Sequence, residues 1–397
     1  MMDSINSTSS AKLFSATIQN STNLESLSNS ALSNGIDLYI QKDYKGAIKE
    51  FQRSIGLALN SSYSTEATEY MANAYLKLDD AENAIKTYQR TISLNTTNDD
   101  LHIKLGNLFY AQERYQEAQS EYEKAVQLNP TAESHYSLGQ AYLETGRYMD
   151  AHTQFGKAHR LAPESPNGKY GIGLAYSKQE RYEDAIRMFK DAIGKKKDFY
   201  DAYAEMGYAY ADLGQMDEAQ KIVDFLDSED SGLADILSGY MYKVDPPKFS
   251  FVDPTSTFLR TMPRNTLLST LDDYLANANA SKTFTMIFQF DKEMDRESVE
   301  NRLNWTIKRS TGSGPGEAYN FGFTVPDTEV TISLFPDNVY YDAKSFSATV
   351  RFTIEQNENA DGTIDPSHIE FSFTGKDKYG LTMDSDFDQV TGFSGIA

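Results

Sequence analysis

The stretch whose donors are spaced for metal chemistry is Asn357-Glu-Asn-Ala-Asp-Gly-Thr-Ile-Asp365. Side-chain oxygens at Asn357, Asn359, Asp361 and Asp365, with a glycine sixth and an apolar residue eighth, fit a calcium loop. Two positions disagree. Asn357 brings no charge to the first position, and the twelfth is His368 where a bidentate glutamate is needed, so Glu370 would serve only with different geometry. The competing and preferred reading is a hairpin turn built on Asp361-Gly362. The five histidines, His102, His135, His152, His159 and His368, form no His-Glu-x-x-His pair, and His152 and His159 read as surface imidazoles on one helix face. Gly171-Ile-Gly173 lacks the third glycine of a dinucleotide loop and follows no strand. There is no Gly-x-Ser-x-Gly elbow and no phosphate loop. The absence of cysteine excludes disulfides, thiolate metal sites and cysteine nucleophiles. Acidic pairs such as Asp272-Asp273 are abundant by composition. No catalytic residue is assigned, no enzyme is expected, and calcium is the only cofactor the sequence raises.

The elements that must position these groups fall into four parts. The chain has 397 residues, with 37 Lys+Arg against 58 Asp+Glu and a formal charge of −21. Its length suggests two or three domains at roughly 150 residues each. So acidic a chain is repelled by nucleic-acid phosphates and anionic membrane surfaces. No apolar run reaches about 18 residues, so no helix is expected to insert in a bilayer. Residues 1–27 are rich in Ser, Asn and Thr and predict a mobile tail. Residues 28–243 carry helical periodicity. Residues 244–278, with Asp245-Pro246-Pro247 and Asp253-Pro254, predict a linker with a short helix around Leu267 to Leu275. Residues 279–397 switch to the period of a strand.

The helical part repeats itself. An alanine followed four residues later by an aromatic recurs at Ala47/Phe51, Ala84/Tyr88, Ala118/Tyr122, Ala151/Phe155 and Ala185/Phe189; a sixth copy, Ala219/Val223, has lost the aromatic. Twelve residues before each alanine stands Gly35, Ala72, Gly106, Gly139, Gly173 or Gly207, and three residues on comes Leu38, Tyr75, Phe109, Tyr142, Tyr176 or Tyr210. Antiparallel helices approach closely only where the crossing carries a small side chain. One such pair cannot bury its apolar face alone, so copies must stack, with the aromatic expected to fill the gap between stacked pairs.

This pattern resembles the tetratricopeptide repeat family, including its proline after the second helix at Pro130 and Pro163. It places six repeats at about 28–61, 65–98, 99–131, 132–165, 166–199 and 200–233, with Leu233 to Val244 as a capping helix. The resemblance implies an all-α solenoid that binds a protein or peptide in a groove lined by the first helix of each repeat. The groove-facing candidates are Glu69, Asn73, Lys104, Asn107, Tyr110, Tyr136, Gln140, Tyr170, Leu174 and Tyr208. Glu66, Glu69, Asp100, Glu133 and Asp201 would make the groove mouth acidic, so the partner is expected to be basic or neutral with apolar anchors. The basic carboxylate clamp of the chaperone-binding members is not reproduced. For each tyrosine the alternative is packing between repeats.

In the last part, strands are expected at 283–290, 305–308, 329–334, 345–354 and 369–374, separated by turn signals at Gly312–Gly316, Pro336–Asn338, Asp361-Gly362 and Tyr379-Gly380. Such density argues for an antiparallel all-β sandwich. Phe288-Gln-Phe-Asp-Lys-Glu-Met-Asp-Arg-Glu-Ser-Val299 and Phe373-Thr-Gly-Lys-Asp-Lys-Tyr-Gly-Leu-Thr382 resemble the opening and late strand connections of bacterial Ig-like domains. The expected role is a non-catalytic adaptor. The alternative is a structural component of an exported or cell-surface assembly, flagellar or related, since the polar start resembles leaders of type III export. The start has no basic n-region or apolar h-region, so the expected location is the cytoplasm or export without a conventional signal peptide.

Overall fold

The computed structural model describes residues 3–59, 61–312 and 317–392, and it divides into two compact units, residues 1–238 and 239–397. The Gly312–Gly316 turn signal lies almost wholly outside the described residues.

The first unit is a run of antiparallel helix pairs: α1 (Asp3–Ile40) with α2 (Tyr44–Leu57), α3 (Ser62–Leu76) with α4 (Ala81–Leu94), and α5 (Asp99–Ala111) with α6 (Tyr115–Leu128). Then come α7 (Ala132–Glu144) with α8 (Tyr148–Leu161), α9 (Asn167–Ser177) with α10 (Tyr182–Lys195), and α11 (Tyr200–Asp212) with α12 (Met216–Ser228). A further helix, α13 (Leu233–Val244), follows. Side-chain caps start several of them: Asp43, Ser61, Asp80 and Asn98 accept the orphan N–H three residues on, and Thr131 with Ser134 forms a reciprocal capping box.

The stretch expected to be a mobile tail is helical from Asp3 onward in this structure. Helix propagates cheaply from an established turn, even through polar sequence. Leu24 and Leu27 remain exposed, and among the described side chains the first buried one is Ser28, whose hydroxyl donates 2.9 Å to the Ser54 carbonyl of α2.

In four pairs the aromatic sits on the glycine of its own pair. A methyl placed on Gly35, Gly106, Gly139 or Gly173 would lie 2.5–2.6 Å from the ring of Phe51, Tyr122, Phe155 or Phe189. The ring therefore fills the notch within a pair, where the sequence suggested the gap between pairs. It also reaches the next pair: Phe51 stacks on Tyr70 at 5.7 Å, and Phe155 presses on Gly171. At the sixth copy, where Val223 replaces the aromatic, Leu237 of α13 covers Gly207.

The turn inside every pair has one residue at positive φ: Lys42, Asp79, Glu113, Gly146, Glu180 and Gly214. In three pairs an arginine after it lies over the aromatic of the first helix, Arg114 over Phe109 at 4.6 Å, Arg147 over Tyr142 at 4.3 Å and Arg181 over Tyr176 at 4.4 Å.

Among its described residues the second unit holds nine strands, numbered in chain order. A four-stranded antiparallel sheet has the order β1 (Phe249–Val252), β3 (Ser281–Phe290), β6 (Ser347–Glu355), β5 (Asn338–Asp342). A three-stranded sheet runs β4 (Trp305–Arg309), β8 (Ile369–Phe373), β9 (Gln389–Val390), and β2 (Thr266–Leu267) pairs with β7 (Thr363–Ile364). The two larger sheets share one aromatic core: Phe249, Phe288 and Phe290 from one meet Trp305, Phe371 and Phe373 from the other at centroid distances of 5.3–6.5 Å.

Two expectations change here. Residues 244–278 are no linker: β1 joins the sheet, and Phe249, Phe258, Leu268 and Leu275 are buried in the core, because the apolar residues between the prolines outweigh the turn signal. Residues 329–334 form no strand. Val330, Ile332 and Leu334 alternate, but the only bridge there joins Glu329 to Thr363.

Candidate functional site

The first helices α3, α5, α7, α9 and α11 carry all ten groove candidates; α5 touches α7, α7 touches α9 and α9 touches α11, while Lys104 of α5 reaches Glu69 of α3. The carboxylate of Asp201 on α11 helps push Tyr136 of α7 up to about 12, across the intervening α9, though burial is the larger cause.

Several candidates are committed to internal contacts. Lys104 donates 2.7 Å to Glu69 of the preceding repeat and lies 3.8 Å from Asp100, so it neutralises the acid of repeats two and three. The Asn107 side-chain oxygen accepts from the Tyr122 hydroxyl at 2.7 Å, while Tyr110 donates to Glu144 and packs edge-on to Tyr115. Asn73 and Gln140 are half-buried.

Other candidates converge. Tyr136 lies against Phe155 at 5.3 Å, and Tyr170 lies between Phe189 at 5.9 Å and Phe199 at 4.8 Å. Both rings are thus half packing, half exposed, and among the described residues neither hydroxyl has a hydrogen-bond partner. Leu174 and Tyr208 are half-buried beside them. The Tyr170 hydroxyl is raised by burial and by Glu205, Tyr136 and Asp201. Burial, with Asp201, also raises Glu205, against the pull of Lys178.

Glu205 is the residue the sequence reading missed. It stands two positions before the notch Gly207, as Lys104 stands two before Gly106, and carrying that offset from repeat to repeat finds it. Next to this patch a cavity of about 390 Å³ opens, lined by Glu133, Tyr136, Ala158, Ala162 and Gly168 among others.

The histidines have structural partners. His102 bonds Glu121 at 2.7 Å, and His135 bonds Gln154 at 2.8 Å at the equivalent place in the next repeat. His152 and His159 are half-buried and not surface groups: one packs on Tyr176 and the other beneath Gly168, where only a glycine leaves room.

The calcium candidates do not converge. The Asn357 amide donates to Asp361 at 2.8 Å and its oxygen accepts the Asp361 N–H, closing a turn, while Asn359 is exposed. Asp365 is buried elsewhere, accepting from Ser367, from the Asn320 backbone and at 2.7 Å from His368. Among the described residues no three His, Asp or Glu side chains are grouped to hold a metal. The turn is no hairpin either, since β7 pairs with β2 and not with β6.

Among the described residues no helix is long and apolar enough to cross a membrane. Three tetratricopeptide-repeat family models match residues 72–113, 103–166 and 176–232. No curated protein matches the chain. Among solved structures, a tetratricopeptide repeat protein from Parabacteroides merdae is similar at 16% identity, covering 54% of this chain and 86% of that one, with a TM-score of 0.47. The MamA protein is similar at 25% identity over 43% of this chain and 94% of its own, with a TM-score of 0.37. YrrB, described as a repeat protein with an unusual peptide-binding site, is 18% identical over 48% and 97%, with a TM-score of 0.37.

Proposed function

Because the chain is a tetratricopeptide-repeat protein, we propose that it acts as a non-catalytic scaffold holding a partner polypeptide on the concave face of α3, α5, α7, α9 and α11. The observation that carries this reading is the patch of Tyr136 and Tyr170, rigid amphipathic rings whose hydroxyls have no partner among the described residues. Tyrosine gives contact area at small entropic cost, and an unused hydroxyl suits an extended backbone. The β-rich unit fits an Ig-like sandwich, a reading supported by its two sheets around one core and by the adjacency of Met294 and Asp377, from its two motifs. Its role would be a spacer or second contact.

Photo-crosslinking tests the groove. A benzoylphenylalanine at Gln140 or Leu174, on first helices, is compared with one at Lys157 or Arg160 on α8. Partner crosslinks confined to the first two positions are expected; crosslinks confined to the α8 positions would refute the reading.

A further inference from the structure

We propose that the β-rich unit binds a small amphiphilic carboxylate, a medium-chain fatty acid in size, in the cavity between β4 and residues 330–334. That segment alternates like a strand but is pinned only near its ends. The Val330 N–H donates 3.0 Å to the Thr363 carbonyl, and the Leu334 carbonyl accepts 2.8 Å from the Ile307 N–H of β4. Between those two bonds no backbone hydrogen bond joins it to β4 among the described residues, and a cavity of about 270 Å³ is left. Ile307, Val330, Ile332, Leu334, Ile364 and Ile369 supply its apolar wall. An aliphatic cavity of about 150 Å³ accommodates benzene, so this one suits a guest of roughly ten non-hydrogen atoms.

One cation marks where the polar end of such a guest sits. Arg309 stands two residues after Ile307 on β4 and opposite Ile369 of β8, so its side chain leaves the sheet on the same face as theirs. Its guanidinium lies 5.0 Å from the centre of the Tyr319 ring, which also lines the cavity. It makes no hydrogen bond among the described residues. The acidic neighbour, Glu329, is 3.8 Å away, and the same carboxylate oxygen accepts from the Tyr319 hydroxyl. Glu329 faces Arg309 and Tyr319, with Asp365, itself bonded to His368, nearby. Burial raises the Glu329 carboxyl to about 7, so at pH 6 it leaves the guanidinium uncompensated. The adjacent Lys308 side chain, on the other face, is taken by Glu370 at 3.0 Å. A carboxylate matches the fork of a free guanidinium with two parallel, charge-assisted bonds, which an alcohol or amide cannot replace. The chain's formal charge of −21 opposes anions in general, so a preference for one must come from a local cation.

The test titrates octanoate, octan-1-ol and octanamide into the full-length chain at pH 6 by calorimetry. Octanoate is expected to bind one site with a Kd of about 100 µM or tighter, and at least about ten times tighter than the two uncharged ligands. Arg309→Gln should bring octanoate down to the level of octan-1-ol, with an unchanged unfolding midpoint of the single tryptophan, Trp305, controlling for folding. Isoleucine δ1-methyl spectra locate the site without any substitution. Octanoate should shift Ile307, Ile332, Ile364 and Ile369 and leave Ile103 and Ile172 of the helical unit in place. No saturable octanoate binding, equal binding of the alcohol or amide, a preference that survives Arg309→Gln, or methyl shifts confined to the helical unit would each overturn the site.

Discussion

Lys292 Nζ lies 2.8 Å from a carboxylate oxygen of Asp377, with both side chains sealed from solvent, and the pair joins two segments remote in sequence. The lysine also donates 2.6 Å to the Asp245 carbonyl, while the other Asp377 oxygen accepts the N–H groups of Tyr379 and Leu381. Removing one partner strands the other charge. Lys292→Met is expected to cost the β-rich unit about 3–5 kcal/mol, and adding Asp377→Asn should restore a large part of it. Trp305 is the single tryptophan and is buried in that unit's core, so its fluorescence during denaturant unfolding reads this unit alone. A Lys292→Met loss under 1 kcal/mol would contradict the account.

The notch in each helix pair has a defined depth. Gly139→Ala puts a methyl 2.6 Å from the Phe155 ring. Overpacking costs about 1–3 kcal/mol, against at most about 1 kcal/mol gained in helix propensity. Net destabilisation is expected at 222 nm, with relief on adding Phe155→Leu. A variant as stable as the parent would show that the helices can separate freely.

The intra-pair turns store strain at non-glycine residues. Glu180 sits at φ 57° and Glu113 at φ 60°. The left-handed conformation costs an L-residue about 1–2 kcal/mol, and glycine's larger unfolded-state entropy returns about 0.5–1 of it. Glu180→Gly should therefore stabilise the helical unit by up to about 1 kcal/mol, while Gly214→Ala, at φ 72°, should destabilise it. Melting followed at 222 nm checks both signs.

Glu329 gives the β-rich unit a pH dependence. Burial, with help from Asp365 and against Arg309, raises its carboxyl from 4.5 to about 7. Its side chain is 3% exposed and accepts from the Tyr319 hydroxyl. The folded state then holds the proton more tightly than the unfolded state. Stability is full below the ordinary carboxylate range and falls as pH rises toward 7, by up to about 3 kcal/mol. Denaturant midpoints read by Trp305 fluorescence from pH 4 to 8 should show this fall, and Glu329→Gln should flatten it.

The repeats were legible because translational symmetry states the same packing problem six times. Gly139 and Phe155 alone would mean little, but their spacing recurs. The groove's charge layout was less legible, because Glu69 and Asp201 are alike in type, and only the reach of Lys104 separates a neutralised acid from an open one. In the β-rich unit the long alternating strands β3 and β6 were readable, whereas the two-residue β2, β7 and β9 are too short to show a period. Residues 329–334 alternate but form only the single bridge of Glu329 to Thr363 and isolated backbone bonds such as Ile307 N–H to the Leu334 carbonyl, since alternation does not by itself supply a continuous ladder. The polar start gave no sign of α1's length, because its described side chains as far as Leu27 stay in water.

The double role of Phe155, pressed on Gly139 in its own pair and on Gly171 in the next, makes the joint between neighbours interchangeable. Excising residues 132–165 would bring Tyr122, at the same station one copy earlier, against Gly171. The length of this array is then open to change by whole modules through duplication or loss, while a cut inside a pair parts a notch from its ring.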